Sequence, residues 1–484
     1  MITQVGFEEH LDAHVKRERA AVKLASKTGQ LLYDKGVELV FFRNHLVDLS
    51  IAEILKLHEY ARDVIEKEVD IETSSALAEA LNTIDLAPSK LDIGRLSYEF
   101  LKAKDKYNGD KVAFLKDTLK DFIGQDKFQM IPRDVVLYGF GRIGRLAARE
   151  LIKQAGKGQQ LRLRAIVTRD KDPEMLEKRA ALLRSDSVHG AFDGTIVVDK
   201  ANNVLIINGM RVQMIGANNP EDIDYTQYGI NNALVIDNTG VFKDREALSR
   251  HLSAKGVSKV ILTAPGKGVP NIVYGINQGT IDMENEKIFS AASCTTNAIS
   301  PILKVMEDKF GIVKGHIETV HAYTNDQNLL DNMHKKPRRG RSAAINMVIT
   351  STGAGSAVTK VIPSLENKLT ANAVRVPTPN GSLAIMSLEL GKEASMEEVN
   401  NAVKNEALNG NLINQIHYSV DDEMVSNDII GNTCCSVYDS PATIVSNDKK
   451  NVVLYTWYDN EFGYTKQVIR LAKHVAGVRR LIYY

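Results

Sequence analysis

Residues 1–132 repeat apolar positions at helical spacing between short breaks. Ser50 and Glu53 form an S-x-x-E box. The series Ile51, Ile54, Leu55, His58, Ala61 and Ile65 behind it stays on one helical face, which predicts a capped helix. Further helices are predicted over 73–84, stopping ahead of Pro88, and over 91–104 and 110–123, with Asn108-Gly109 as the break between them. The pattern gives an all-α extension of about four to six helices. Phe41-Phe42 is an apolar pair suited to a core or to a partner surface, and residues 127–133 read as a linker. Beyond it the period changes. The continuous run Val135-Val136-Leu137-Tyr138 reads as a buried strand and leads through glycines into a helix from Arg145 through Ile152. Strand-like runs also end near Ala292 and at Thr319-Val320-His321, a helix continues from Cys294 through Ile299, Leu303 and Met306, and a last helix is predicted from roughly residue 464 to 476.

A chain of 484 residues should hold roughly two or three domains. With 61 Lys and Arg against 60 Asp and Glu, the net charge of +1 excludes a dedicated nucleic-acid or polyanion binder. Three cysteines make no disulfide framework and suit a reducing compartment. Glu8, Glu9 and Asp12 rule out a secretory signal at the N-terminus, and no apolar run is long enough to span a membrane. A soluble cytoplasmic protein with no membrane or nucleic-acid partner is expected.

The chemistry centres on Ala292-Ser293-Cys294-Thr295-Thr296-Asn297, where a cysteine sits at a strand-to-helix junction. Free backbone N–H groups and the positive end of the helix dipole favour a thiolate there, which makes Cys294 the candidate nucleophile. His321 lies 27 residues on, at a strand end, and cysteine with histidine is the minimum set for covalent catalysis. Upstream, Gly139-Phe140-Gly141-Arg142-Ile143-Gly144 is a G-x-G-x-x-G turn between strand and helix, the fingerprint of dinucleotide binding. A buried inert cysteine, a structural histidine and a plain glycine loop are the ordinary alternatives; it is their combination that displaces them.

These segments resemble phosphorylating glyceraldehyde-3-phosphate dehydrogenase over about residues 133–478, through Asp186-Ser187-Val188-His189-Gly190, Asn238-Thr239-Gly240-Val241-Phe242, Ser351-Thr352-Gly353-Ala354, Arg375-Val376-Pro377-Thr378 and Trp457-Tyr458-Asp459-Asn460-Glu461-Phe462-Gly463-Tyr464. The resemblance implies an α/β chain: an N-terminal extension at 1–132, a Rossmann-type doubly wound parallel sheet at 133–293, an α+β catalytic domain at 294–458, and a C-terminal helix at 459–484 returning to the Rossmann domain. It implies that His321 activates Cys294, that aldehyde oxidation leaves an acyl thioester, and that inorganic phosphate releases it as an acyl phosphate. Thr324 and Arg375 are then implied for the substrate phosphate, and Ser293, Thr295, Thr352 and Gly353 for phosphate and substrate contacts. The cofactor, NAD or NADP, falls to Gly139, Gly141, Arg142, Ile143, Gly144, Thr168, Arg169, Thr239, Gly240, Thr263 and Asn460, the last anchoring the carboxamide. Glyceraldehyde 3-phosphate and inorganic phosphate are the implied partners, and residues 326–341 resemble the loop that reaches a neighbouring subunit in family homotetramers.

Two departures carry meaning. Ala165-Ile166-Val167-Thr168-Arg169-Asp170 places Thr168 where NAD-preferring relatives carry an acidic residue, and Asp170 reaches that position only with a two-residue slip. A threonine beside an arginine tolerates the extra phosphate of NADP, and Asn332-Met333 after Asp331 points the same way. Ala298 stands where many relatives have a second cysteine, and Cys434-Cys435 has the look of packed residues. Two rivals are erythrose-4-phosphate dehydrogenase, disfavoured by the intact Ser351-Thr352-Gly353 segment, and a catalytically idle binding protein, disfavoured by the retained nucleophile and base. The extension is a packed helical cap or oligomer contact, or else a regulatory docking module.

Overall fold

Leu39, Val40 and Phe41 form a run with no polar face, and the backbone resolves this by making Glu38–Phe41 a strand buried along its whole length. The computed structural model describes residues 6–124, 130–170, 172 and 174–484. Residues 127–129 of the expected linker lie outside the described residues. The chain divides into two units, the first comprising Met1–Pro132, Gly156–Gln160 and Val478–Tyr484, the second the remainder.

The first unit is helix-rich, as the periodicity predicts, but it is not all-α. Ile51–Asp63 is capped by Ser50, whose Oγ accepts from Glu53 N–H while the Glu53 carboxylate accepts from Ser50 N–H, and it buries Ile54, Leu55, His58 and Ala61. The next helix, Ile71–Asn82, starts earlier than expected because Asp70 supplies its cap. The helix expected over 91–104 spans Ile93–Ala103, because Ser89–Asp92 is a strand ahead of it. These strands form a four-stranded sheet in the order Asn44–His45, Glu38–Phe41, Ser89–Asp92, Leu481–Tyr483. Helical periodicity cannot reveal strands of two to four residues whose partners lie far off in sequence. The closing strand brings Arg480 with it: Nη1 donates to Glu38 Oε2 at 3.0 Å and to Gln160 Oε1 at 2.6 Å, and Nε donates to the Gly36 carbonyl at 2.9 Å.

The second unit holds two eight-stranded sheets. The first runs Ile288–Ser290, Val257–Leu262, Ala233–Asp237, Arg133–Tyr138, Leu161–Thr168 and Met210–Gly216, all parallel, and ends in the antiparallel strands Val204–Ile207 and Ile196–Asp199. The second, mixed sheet is centred on Ile312–Ala322, flanked by Leu369–Val376 in parallel and Ser382–Leu390 in antiparallel, with Asn451–Tyr458 beyond. Ile299, Ile302, Leu303 and Met306 of helix Cys294–Phe310 share a core with Ile317, Met386, Leu388 and Leu454 of this sheet. The expected C-terminal helix is Phe462–Val475, tied to the helix after the glycine turn by Lys466 Nζ to Glu150 Oε1 at 2.5 Å. The residues after it do not continue that helix. No described helix is long and apolar enough to cross a membrane.

Arg480 is only 4% exposed, so Glu38→Ala leaves a buried cation without its carboxylate. A loss of about 3–5 kcal/mol is expected, read as lost amide-exchange protection in strand 89–92; unchanged protection would remove the ion pair from any structural role.

Candidate active site

The junction before Cys294 is built under strain. Ala292 has φ of 56°, in the left-handed region, and its carbonyl accepts from the Tyr464 hydroxyl at 3.0 Å. Ser293 then caps the helix, its Oγ accepting from Thr296 N–H at 3.0 Å, so Cys294 falls in the first turn, where backbone N–H groups have no helical partner. Pro301 lies inside this helix and cannot donate to the Asn297 carbonyl; the Cys435 thiol donates to it instead at 3.2 Å. The Cys434-Cys435 stretch thus repairs the helix that carries Cys294.

His321 ends the central strand, and the parallel register sets Arg375 directly beside it. Cys294 Sγ lies 3.6 Å from His321 Nε2. We assign the imidazole proton to Nδ1, which faces the Ala322 carbonyl at 2.7 Å and leaves the Nε2 lone pair toward sulfur. Arg375 Nη1 also donates to that carbonyl at 2.8 Å and lies 2.9 Å from Nδ1. Burial, reinforced by the Arg375 charge, lowers the His321 pKa to about 3, so the ring is neutral. Burial pushes the Cys294 thiol above its ordinary value, against the pull of Arg375 and the first-turn N–H groups. The pair at rest is therefore neutral.

Arg375 also reaches Thr324 Oγ1 at 3.3 Å, while its Nε is buried without a hydrogen-bond partner. A buried guanidinium with an unused donor is a site for an anion. Beside it stands Arg339, which the sequence reading did not single out, donating to Asp326 Oδ2 at 2.8 Å and Thr350 Oγ1 at 3.2 Å. Thr352 Oγ1 accepts from Ala354 N–H at 3.2 Å, and a side chain at Gly353 would meet open space. Thr295 is turned inward, its hydroxyl 3.1 Å from the Tyr458 hydroxyl. Ser382, also not anticipated, links the parts: its Oγ accepts from Ala322 N–H at 3.1 Å and donates to Asn460 Oδ1 at 2.8 Å, fixing the Asn460 amide.

The glycine turn has the space a dinucleotide needs. Gly139 has φ of +99°, and a Cβ on Gly144 would come within 2.4 Å of the Gly139 carbonyl, so the third glycine is required for the helix to pack on the turn. A Cβ on Gly141 would touch nothing within 4 Å, which leaves the N-terminus of helix Arg142–Lys153 open to a pyrophosphate, with Ile143 in its first turn. Arg142 itself is taken up by carboxylates: its guanidinium donates to Asp186 Oδ2 at 2.8 Å and Glu461 Oε2 at 2.6 Å, and His189 Nε2 lies 3.0 Å from the same Glu461 oxygen. Although burial opposes its charge, Arg142 and two backbone N–H groups hold Asp186 well below the usual carboxylate range. The Asp186–His189 and Asp459–Glu461 segments thereby meet at the dinucleotide helix. Thr239 donates its hydroxyl to Asp237 Oδ1 at 2.7 Å and precedes Gly240 in the facing turn, Thr263 Oγ1 donates to the Asp237 carbonyl at 3.0 Å, and His251 holds the other Asp237 oxygen at 2.9 Å. Thr168 and Arg169 line a cavity of about 580 Å³ at the strand ends, together with Asp170 and Arg179.

A parallel dinucleotide-binding sheet, with a thiol–imidazole pair beside a buried arginine in the same unit, is the arrangement of a nucleotide-dependent oxidoreductase. Residues 133–245 match the family description "Glyceraldehyde 3-phosphate dehydrogenase, NAD binding domain" and residues 293–460 match "Glyceraldehyde 3-phosphate dehydrogenase, C-terminal domain". A Pseudomonas aeruginosa protein named "Glyceraldehyde-3-phosphate dehydrogenase-like protein" is 49% identical over 93% of this chain and 97% of its own length. The glyceraldehyde-3-phosphate dehydrogenase of Priestia megaterium is 42% identical over 70% of this chain and 97% of its own, and glyceraldehyde-3-phosphate dehydrogenase 1 of Bacillus subtilis is 41% identical over 71% and 98%. The chain belongs to the glyceraldehyde 3-phosphate dehydrogenase family. At 93% coverage, the Pseudomonas match takes in most of the N-terminal unit as well.

The glycines separate folding from binding. Gly141→Ala should keep the melting temperature and weaken NAD binding by more than about tenfold, whereas Gly144→Ala should cost about 1–3 kcal/mol of stability as well. Calorimetric titration and thermal melts check both, and unchanged NAD affinity in Gly141→Ala would move the pyrophosphate elsewhere.

Proposed function

We propose that the protein is a phosphorylating glyceraldehyde-3-phosphate dehydrogenase, converting glyceraldehyde 3-phosphate and inorganic phosphate to 1,3-bisphosphoglycerate with reduction of NAD or NADP, a step shared by glycolysis and gluconeogenesis. The observation that carries this reading is the 3.6 Å contact of Cys294 Sγ with His321 Nε2 beside Arg375, whose Nε has no partner. Arg375 and Thr324 bind the substrate phosphate and set the aldehyde carbon over Sγ. Sulfur attacks as its proton passes to Nε2 and on to the aldehyde oxygen, giving a neutral hemithioacetal whose hydroxyl is held by the Cys294 N–H and the again neutral His321 ring. His321 takes the hydroxyl proton as the carbon is oxidised to a thioester. A bound nicotinamide, its carboxamide anchored by Asn460, supplies the hydride acceptor for that oxidation. Ser293, Thr352 and Gly353, with Arg339 adding charge, hold the inorganic phosphate that attacks the thioester carbonyl; the C–S bond breaks, the acyl phosphate leaves and the thiol is restored.

Retention of Ser351-Thr352-Gly353 supports phosphorolysis over the hydrolysis expected of an erythrose-4-phosphate dehydrogenase. We also read the functional division as 1–132, 133–293, 294–458 and 459–484, and the assembly as a homotetramer.

Initial rates with glyceraldehyde 3-phosphate should depend on inorganic phosphate. Cys294→Ser should abolish turnover with NAD binding intact, and His321→Asn should slow it by about 10²–10⁴-fold; rapid turnover in the serine variant, or full rates without phosphate, would refute the assignment. Arg375 lowers the proton affinity of both His321 and Cys294. Its removal makes each group hold its proton to higher pH, so in Arg375→Gln the acid limb of Cys294 alkylation by iodoacetamide should move upward in pH. An unmoved limb would contradict this electrostatic coupling.

A further inference from the structure

The cavity at the ends of strands Arg133–Tyr138 and Leu161–Thr168 holds three charged groups that the reaction chemistry does not use: Arg169, Asp170 and Arg179. Arg179 belongs to helix Met175–Arg184, and its Nη2 lies 3.3 Å from Asp170 Oδ2 and donates to the Asp170 carbonyl at 3.4 Å. The Thr168 hydroxyl donates to the same carbonyl at 3.2 Å. The two partners of the ion pair differ in freedom: the Arg179 side chain is 14% exposed and that of Asp170 is 40% exposed.

In parallel dinucleotide-binding sheets the end of the second strand meets the adenosine ribose, where a carboxylate accepts from the 2′-hydroxyl and an arginine accommodates a 2′-phosphate. This cavity offers both, locked together. Which one meets the ribose depends on which can leave the pair. A partly exposed ion pair is worth little, so Asp170 can turn into water at small cost. The enclosed Arg179 keeps its charge and needs an anion in place of the departed carboxylate. A phosphate presents three acceptor oxygens to its planar fork.

We propose that Arg179 is the residue that recognises the 2′-phosphate of NADP, with Arg169 adding a second positive charge at the same cavity and Asp170 serving as the placeholder counter-ion that keeps the guanidinium aimed when no phosphate is there. This deepens the dehydrogenase reading, on which it rests for the class of cofactor.

Calorimetric titration of the full-length protein with NAD and with NADP tests it without catalysis. The wild type should bind NADP no more than about tenfold more weakly than NAD. Arg179→Gln should weaken NADP by about 10–100-fold, the range for losing hydrogen bonds to a charged group, with NAD changed by less than about threefold. Asp170→Asn should bind NADP at least as tightly as the wild type and leave NAD unchanged. Equal losses for both cofactors in Arg179→Gln, no loss of NADP binding there, or a selective loss of NAD in Asp170→Asn would overturn the proposal, the last by giving Asp170 the ribose hydroxyl. Arg179→Lys, which keeps the charge without the fork, should lie between wild type and Arg179→Gln for NADP; NAD binding reports that each variant is folded. Binding of both cofactors without oxidation of glyceraldehyde 3-phosphate would sink the dehydrogenase reading and leave this comparison intact.

Discussion

A sulfur and an imidazole nitrogen 3.6 Å apart, one on the first turn of a helix and the other at the end of a strand, fix how the elements of the second unit must meet. A strand register off by one residue would turn His321 away from the sulfur and bring a different side chain beside it. Much of the surrounding structure holds that register and that helix start. Ile317 and Met386 bury one face of the sheet against helix Cys294–Phe310, Ser382 ties the strand end to Asn460, and Cys435 satisfies the carbonyl that Pro301 leaves free.

The electrostatics follow from the same geometry. Arg375 stands against His321 because the parallel register pairs them, so its charge adds to burial in keeping the imidazole uncharged. An anion at Arg375 would relieve part of that pressure on the ring, so under the proposed mechanism phosphate binding and the proton affinity of His321 are coupled. On the nucleotide side the corresponding device is the Arg142 guanidinium held between Asp186 and Glu461, which fastens the start of the dinucleotide helix to the segment carrying Asn460. In the proposed reaction hydride transfer needs the glycine turn and Asn460 at a fixed spacing, and this clamp joins the segments that carry them.

Features governed by local chemistry could be read from the chain. The glycine turn, the capping box at Ser50 and the cysteine at a strand-to-helix junction each announce themselves within a few residues, and each stands where its pattern places it. Features made by distant pairing could not. Glu38–Phe41 is a strand only because Ser89–Asp92 lies alongside it, and that strand in turn is flanked by Leu481–Tyr483 from the far end of the chain. Helical periodicity assigned those residues to an all-α extension for want of any local sign. Arg179 and Arg339, which no sequence pattern marks, make the same point for the site, as does Arg142, which the glycine motif marks for the cofactor and the fold ties to Asp186 and Glu461. Nothing local in the sequence tells which carboxylate each will face, and only the fold pairs Arg142 with Asp186, Arg179 with Asp170 and Arg339 with Asp326.

The most direct test is to mix the protein with NAD and glyceraldehyde 3-phosphate in the absence of inorganic phosphate and to measure the mass of the peptide containing Cys294 after rapid acid quench. A near-stoichiometric phosphoglyceroyl thioester on Cys294, discharged when phosphate is added, is the predicted result. An unmodified cysteine with continuing reduction of NAD, or an acyl group on any other residue, would contradict the account.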